Sequence, residues 1–406
     1  LSLYADSSDP AGQLLGSVKN FTSITKEGDG TWGIFGQVPS QEGEYWPSSP
    51  ITGTLANVTT LTVNDGTLNI IGAAPDFHGT VQINANGNLS VQADSINYTS
   101  SVTNNGTLTF DQPAVGNHTY SGQGISGNGM VIKQGDGDLI MNSATANTYS
   151  GGTWIRENAI VVDRDSDLGA ATGQLILGTD STDGNLNGTL KFGSSFDLSA
   201  SRDITILDGG GTFDTNGFNT TVNQAINGTG DLTKAGDGVL TLASTANTYD
   251  GDTIVEGGTL AIAADGSLGS NANGYVVMYD DTTLQFNGAV TSDRTLDIVG
   301  GPTSSATVNT NNTDGTWNGQ IQGGQLIKAG AGTLTLTNTS NSYQGGTVVK
   351  GGTLAITDDD VLGAASSSLE LQNNTTLQLN NDITMNSRTV YLSGGEATIG
   401  TLGNTG

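Results

Sequence analysis

The sequence predicts an all-β chain folded as a right-handed single-stranded parallel β-helix, that is, a β-solenoid. Three observations predict it. Short runs alternate apolar and polar residues between Gly, Asn or Asp. A small motif recurs at a short, nearly constant step, of the length expected for one coil of a solenoid. A much longer block recurs almost verbatim three times.

The alternating runs include GVLTLAS (238–244), GTLTLTN (332–338) and GTLAITD (352–358). Period two between turn residues reads as strand, turn, strand. No stretch carries a 3.6-residue apolar period. The small motif appears as VNDGTLNI (63–70), INANGNLSV (83–91) and VTNNGTLTF (102–110), with turn glycines Gly66, Gly87 and Gly106. That step suits one coil of three short strands and three turns. One coil cannot bury its apolar face alone, but stacked coils share a continuous core. About 18 to 20 coils are expected over the chain.

The long block is VIKQGDGDLIMNSATANTYSGGTWI (131–155), LTKAGDGVLTLASTANTYDGDTIV (232–255) and LIKAGAGTLTLTNTSNSYQGGTVV (326–349). Lys133, Lys234 and Lys328 mark its register. Asn147/Tyr149, Asn247/Tyr249 and Asn341/Tyr343 keep step, as do Arg202, Arg294 and Arg388.

Composition narrows the function. Of 406 residues, 61 are Gly, roughly twice the usual share of about 7%. Lys and Arg number 12 against 39 Asp and Glu, a formal net charge of −27. Nucleic-acid binding needs cations to displace phosphate counterions, so it is not expected. An anionic membrane would repel the chain, and no membrane insertion of this segment is expected. There is no Cys, which excludes disulfides, thiolate metal sites and Cys nucleophiles. The chain opens at LSLYADSSDP and stops in mid-pattern at TLGNTG, which suggests a segment of a longer protein.

The long block resembles the passenger-associated transport repeat of AIDA-type autotransporters. Residues 234–262 and 328–356 carry the resemblance, with a weaker copy at 133–162 that has RENAIVV where the others have EGGTLAI and KGGTLAI. The resemblance covers roughly 122–406. It implies one continuous passenger domain over 1–406, with three long repeats in 122–406. It also implies export through a C-terminal outer-membrane β-barrel to the bacterial cell surface, with or without release. Members are mostly adhesins, self-associating aggregation factors or biofilm proteins, and a minority are enzymes. The repeat marks the scaffold rather than the ligand.

Residues 1–60 are read as an N-terminal cap. Within them, 28–52 hold Trp32, Tyr45, Trp46 and three of the seven prolines, Pro39, Pro47 and Pro50. Pro at this density is incompatible with central strands, so the segment is read as a protruding loop, either capping or ligand-binding.

Motifs for chemistry are weak. There is no Gly-Asp-Ser-Gly and no Gly-x-Ser-x-Gly. His78 and His118 read as surface or turn residues. GQGISG (122–127) opens no helix, so a dinucleotide site is not expected. The acidic run DRDSDLG (163–169), with Asp163 and Asp165, matches AADGSLG (263–269) and TDDDVLG (357–363), which place Asp265 and Asp359 in the same register. These carboxylates are read as solvated turn groups, a shared binding groove or a local Ca²⁺ site. Arg294 with Asp280, Asp281 and Asp293 is the best local collection for polysaccharide cleavage, though its repetition favours a structural role for the Arg. The expected function is an adhesin binding a host extracellular-matrix protein or glycan along a lateral face. Candidate contacts are Trp32, Tyr45, Trp46, Asp163, Asp165, Asp265, Asp280, Asp281, Arg294 and Asp359. Homotypic self-association between cells and a polysaccharide-cleaving enzyme are the alternatives. No cofactor and no metal are expected.

Overall fold

Strands form here because inward positions hold Leu, Ile, Val or Phe while outward positions hold Thr, Asn, Ser or Gln. The computed structural model describes residues 1–5, 8, 12–15, 21–35, 55, 57–71, 77–97, 99–112, 115–385 and 388–401. Its strands are parallel and stack as a β-solenoid of about 16 turns. That is fewer than the short sequence step suggests, because coils vary in length. Leu61 pairs with Val81 across a short coil, whereas Asn158 pairs with Gly188 across a much longer one.

Two compact units divide the chain, Leu1–Thr205 and Ile206–Gly406. In the first, Ser23–Glu27, Thr60–Ile71, Thr80–Val91, Thr107–Asp111, Met130–Gln134 and Thr153–Ile155 stack in that order. Register is strict. Leu68, Leu89, Leu108 and Val131 lie over one another and are all buried. A second face stacks Asn117–Tyr120, Asp138–Met141, Asn158–Val162 and Gly188–Phe192. In the second unit, one sheet includes Leu232–Ala235, Thr253–Val255, Tyr275–Met278 and Thr295–Ile298. Another includes Val239–Leu242, Thr259–Ile262, Thr282–Phe286 and Ser305–Asn309. Leu240, Leu260, Leu284 and Val308 form one of its buried rows.

The expected loop at 28–52 begins differently. Thr31–Phe35 is a strand, paired with Gly12–Leu15 on one side and with Thr67–Ile71 on the other. Its residues precede Pro39, the first proline of the segment, so the pairing is not blocked. Residues 36–52 lie outside the described residues. GQGISG holds the short strand Ile125–Ser126 between bends at Gly122–Gln123 and Gly127. His78 is exposed and His118 half-buried.

Candidate functional site

The repeated residues build the same internal corner in each long repeat. The lysines sit on inward rows among apolar residues: Lys133 lies between Phe110 and Ile155, Lys234 between Phe213 and Val255, and Lys328 between Val308 and Val349. All three are fully buried. Each Nζ reaches back to the corner and donates to main-chain oxygens. Lys234 Nζ donates to Ala235 O, Gly236 O and Gly257 O at 2.8, 2.5 and 2.9 Å. Lys328 repeats this with Ala329 O, Gly330 O and Gly351 O. Lys133 donates to Gly135 O and Glu157 O. Burial outweighs the neighbouring carboxylates and lowers all three ammonium groups to a pKa of about 8.

A fourth such corner was not anticipated. Lys26 is buried on an inward row beside Val63 and donates to Glu27 O, Gly28 O and Asp65 O. The signal was present: Lys26 opens KEGDG, which parallels KQGDG at 133–137 and KAGDG at 234–238.

Further along each repeat, Asn and Tyr lock neighbouring coils. Asn247 Oδ1 accepts from Ile226 N–H, and its Nδ2 donates to Ser267 O. Asn147 and Asn341 do the same between Ile125 and Asp167, and between Ile321 and Val361. The buried hydroxyl pairs Tyr149/Thr153, Tyr249/Thr253 and Tyr343/Thr347 are each 2.7 Å apart.

The acidic register resolves into arginine pins. Asp165, Asp265 and Asp359 each begin a one-turn 3₁₀ helix, Asp165–Leu168, Asp265–Leu268 and Asp359–Leu362. Arg202 Nε and Nη2 donate to the two carboxylate oxygens of Asp165, each at 3.0 Å. Its remaining N–H groups reach Leu168 O and Gly173 O. Arg294 pairs with Asp265 at 3.1 Å, and Arg388 with Asp359 at 2.9 Å. All three guanidinium side chains are buried. Each of these carboxylates neutralises a buried cation; Asp165 and Asp265 stay part-exposed in doing so, and Asp359 is buried. Arg294 also turns away from the collection expected for it. Asp280 Oδ1 instead accepts from Ser305 N–H at 2.7 Å, and Asp281 N–H donates to Ser305 O at 2.8 Å. Asp163 is exposed, and its N–H donates to Asp167 Oδ2. Trp32 is half-buried in its strand, against Gly12, where a Cβ would meet the indole at 2.3 Å. Tyr45 and Trp46 lie outside the described residues. Among the described residues no three His, Cys, Asp or Glu are grouped to hold a metal ion. No described helix is long and apolar enough to cross a membrane.

One concave feature lies elsewhere, on the first unit, and a smaller one of ≈ 300 Å³ on the second unit is lined by residues that include Thr335 and Gln378. The larger, a groove of ≈ 430 Å³, is lined by Asn69, Ile70, Asn88, Ser90, Val91, Gln92, Thr109, Asp111 and Gln134. These come from successive strands whose register stacks Asn69 on Ser90, Ser90 on Thr109 and Asp111 on Gln134. Gln134 Nε2 donates to Asp111 Oδ2 at 3.1 Å, and Thr109 Oγ1 donates to Asn88 Oδ1 at 3.3 Å. None of these residues was singled out from sequence. Most of them are polar and sit at outward positions, where polar residues are the rule along the whole chain.

The lysine corners of the long repeats lie in sequence shared with known proteins. Residues 131–157, 232–262 and 326–356 match the model of the passenger-associated-transport-repeat. The first match stops where RENAIVV replaces the usual ending. Over 286 residues, 66% of its length, the chain is 32% identical to the adhesin BmaC autotransporter of Brucella suis biovar 1 (strain 1330). The matched stretch spans only 7% of that relative. No solved structure matches.

Proposed function

This chain is autotransporter passenger sequence built on passenger-associated-transport repeats, and from that premise we propose that it is a surface-displayed adhesin segment. It is exported, presented on the bacterial cell and binds a host extracellular-matrix protein or glycan through a lateral face. The observation that carries this reading is the identity shared over two thirds of the chain with a relative named as an adhesin. The structure adds support. Its repeated charged residues are committed to internal corners, so they serve the scaffold and leave recognition to outward side chains. In the body of each sheet the main-chain groups are already paired, so a ligand meets side chains rather than a free strand edge. A non-enzymatic role is part of this reading, supported by the ion pairs of Arg294 and Arg202, the arginines nearest to a catalytic pattern, which act as corner pins. Many weak contacts, multiplied by many copies per cell, supply avidity.

Binding of the purified chain to immobilised matrix proteins, to a glycan array and to host cells tests this. Saturable binding to at least one host surface is expected. Failure on all three overturns it. Concentration-dependent association of the chain with itself, without host binding, would favour homotypic aggregation instead.

A further inference from the structure

We propose that the groove on the first unit is a binding site for an uncharged glycan segment. This rests on the adhesin reading and deepens it by naming a site and a ligand class.

Carboxamides at Asn69, Asn88, Gln92 and Gln134 each offer both donors and an acceptor, and Ser90 adds a hydroxyl that can do either. Adjacent sugar hydroxyls present the same mixed donor and acceptor pairs. Among the described residues, the side chains of Asn69, Ser90 and Gln92 have no hydrogen-bond partner, so they are available to a ligand. Parallel stacking repeats these groups at about 4.8 Å along the groove. Four strands contribute, so the polar rows extend about 14 Å, long enough for a chain of rings rather than one. The volume falls in the range of about 300–1,000 Å³ typical of small-ligand sites.

Charge and backbone pairing exclude the other occupants. No lining residue is cationic and one, Asp111, is anionic, on a chain of net charge −27. A sulfated or sialylated glycan would be repelled, as would a nucleic acid. A single carboxylate does not make a divalent-cation site. An extended peptide that adds as a strand needs a free sheet edge, and this groove lies on a sheet face.

The test uses the full chain and three probes: uncharged hexose and N-acetylhexosamine oligosaccharides, heparin, and a matrix protein stripped of its glycans. Binding is titrated for the native chain, for Ser90→Phe, which fills the groove, and for Asn88→Ala with Gln92→Ala. Gln378→Ala, on the second unit, is the control, and unchanged thermal midpoints verify folding. Saturable binding of an uncharged oligosaccharide is expected, about tenfold weaker in both groove variants and unchanged in the control. Binding that ignores the groove variants, or that is confined to heparin, overturns the assignment. Binding only to the stripped matrix protein sinks the groove but leaves the adhesin reading standing. Binding to no probe and to no host cell sinks both.

Discussion

Arg202, Arg294 and Arg388 each satisfy a carboxylate and several corner carbonyls from a buried position, so their removal strands buried acceptors. Arg202→Ala is expected to cost about 3 kcal/mol or more in urea unfolding of the chain. Arg202→Lys keeps the charge but not the planar fork, and should recover only part of that loss. A loss below about 1 kcal/mol for Arg202→Ala would mean the corner re-satisfies itself. The lysines make a pH prediction. Their folded pKa of about 8 lies below the ordinary 10.5. Between those values the unfolded chain binds more protons than the folded one, so their contribution to stability rises with pH. Tyr149, Tyr249 and Tyr343 are pushed above the ordinary 10.0 by burial, so above that value the unfolded chain ionises first and stability falls. Melting temperatures should therefore peak between about pH 10 and 10.5, where the lysine gain and the tyrosine loss balance. A steady decline from pH 7 upward would contradict this. The register of these residues was legible in the sequence because each recurs three times. Their partners were not. Arg294 has Asp293, Asp281 and Asp280 closer in sequence, yet it pairs with Asp265, one coil away.

The one-turn helices at Asp165, Asp265 and Asp359 are the elements that close each arginine corner. Each ends at a glycine with positive φ: Gly169 at 84°, Gly269 at 86° and Gly363 at 74°. A Cβ on Gly269 would come within 2.4 Å of Tyr249 O, beside the tyrosine ring. Gly269→Ala is thus strained both in backbone and in space, and should lower stability by about 1–3 kcal/mol. A neutral result in a thermal melt would show that the corner can shift. The sequence made the strands readable through period two, but averaged properties hid Thr31–Phe35. Its Thr, Trp, Ile and Phe suit a strand, while the prolines that marked the wider segment begin only at Pro39. The groove was hidden for another reason. Asn69, Ser90 and Thr109 are far apart along the chain, and only the stacked register makes them neighbours.

At the scale of the molecule, recognition and repetition fall on different residues. The matches to the passenger-associated-transport-repeat begin at residue 131, whereas nearly all of the groove residues precede it. Charge separates the two host ligand classes. Capture of a basic matrix protein by a chain of net charge −27 should weaken steeply as salt rises, while an uncharged glycan should be held almost equally at about 0.05 and 0.5 M salt. The second behaviour is expected, measured as retention of the chain on host cells. Adhesion of the chain to host cells after substitution of one face at a time decides whether the groove does the binding. Ser90→Phe, in the groove, should abolish most adhesion, and Thr335→Phe, on the second unit, should leave it intact. Equal adhesion by both variants, or loss only with Thr335→Phe, would contradict the claim that the groove at Asn69–Gln134 is the working surface.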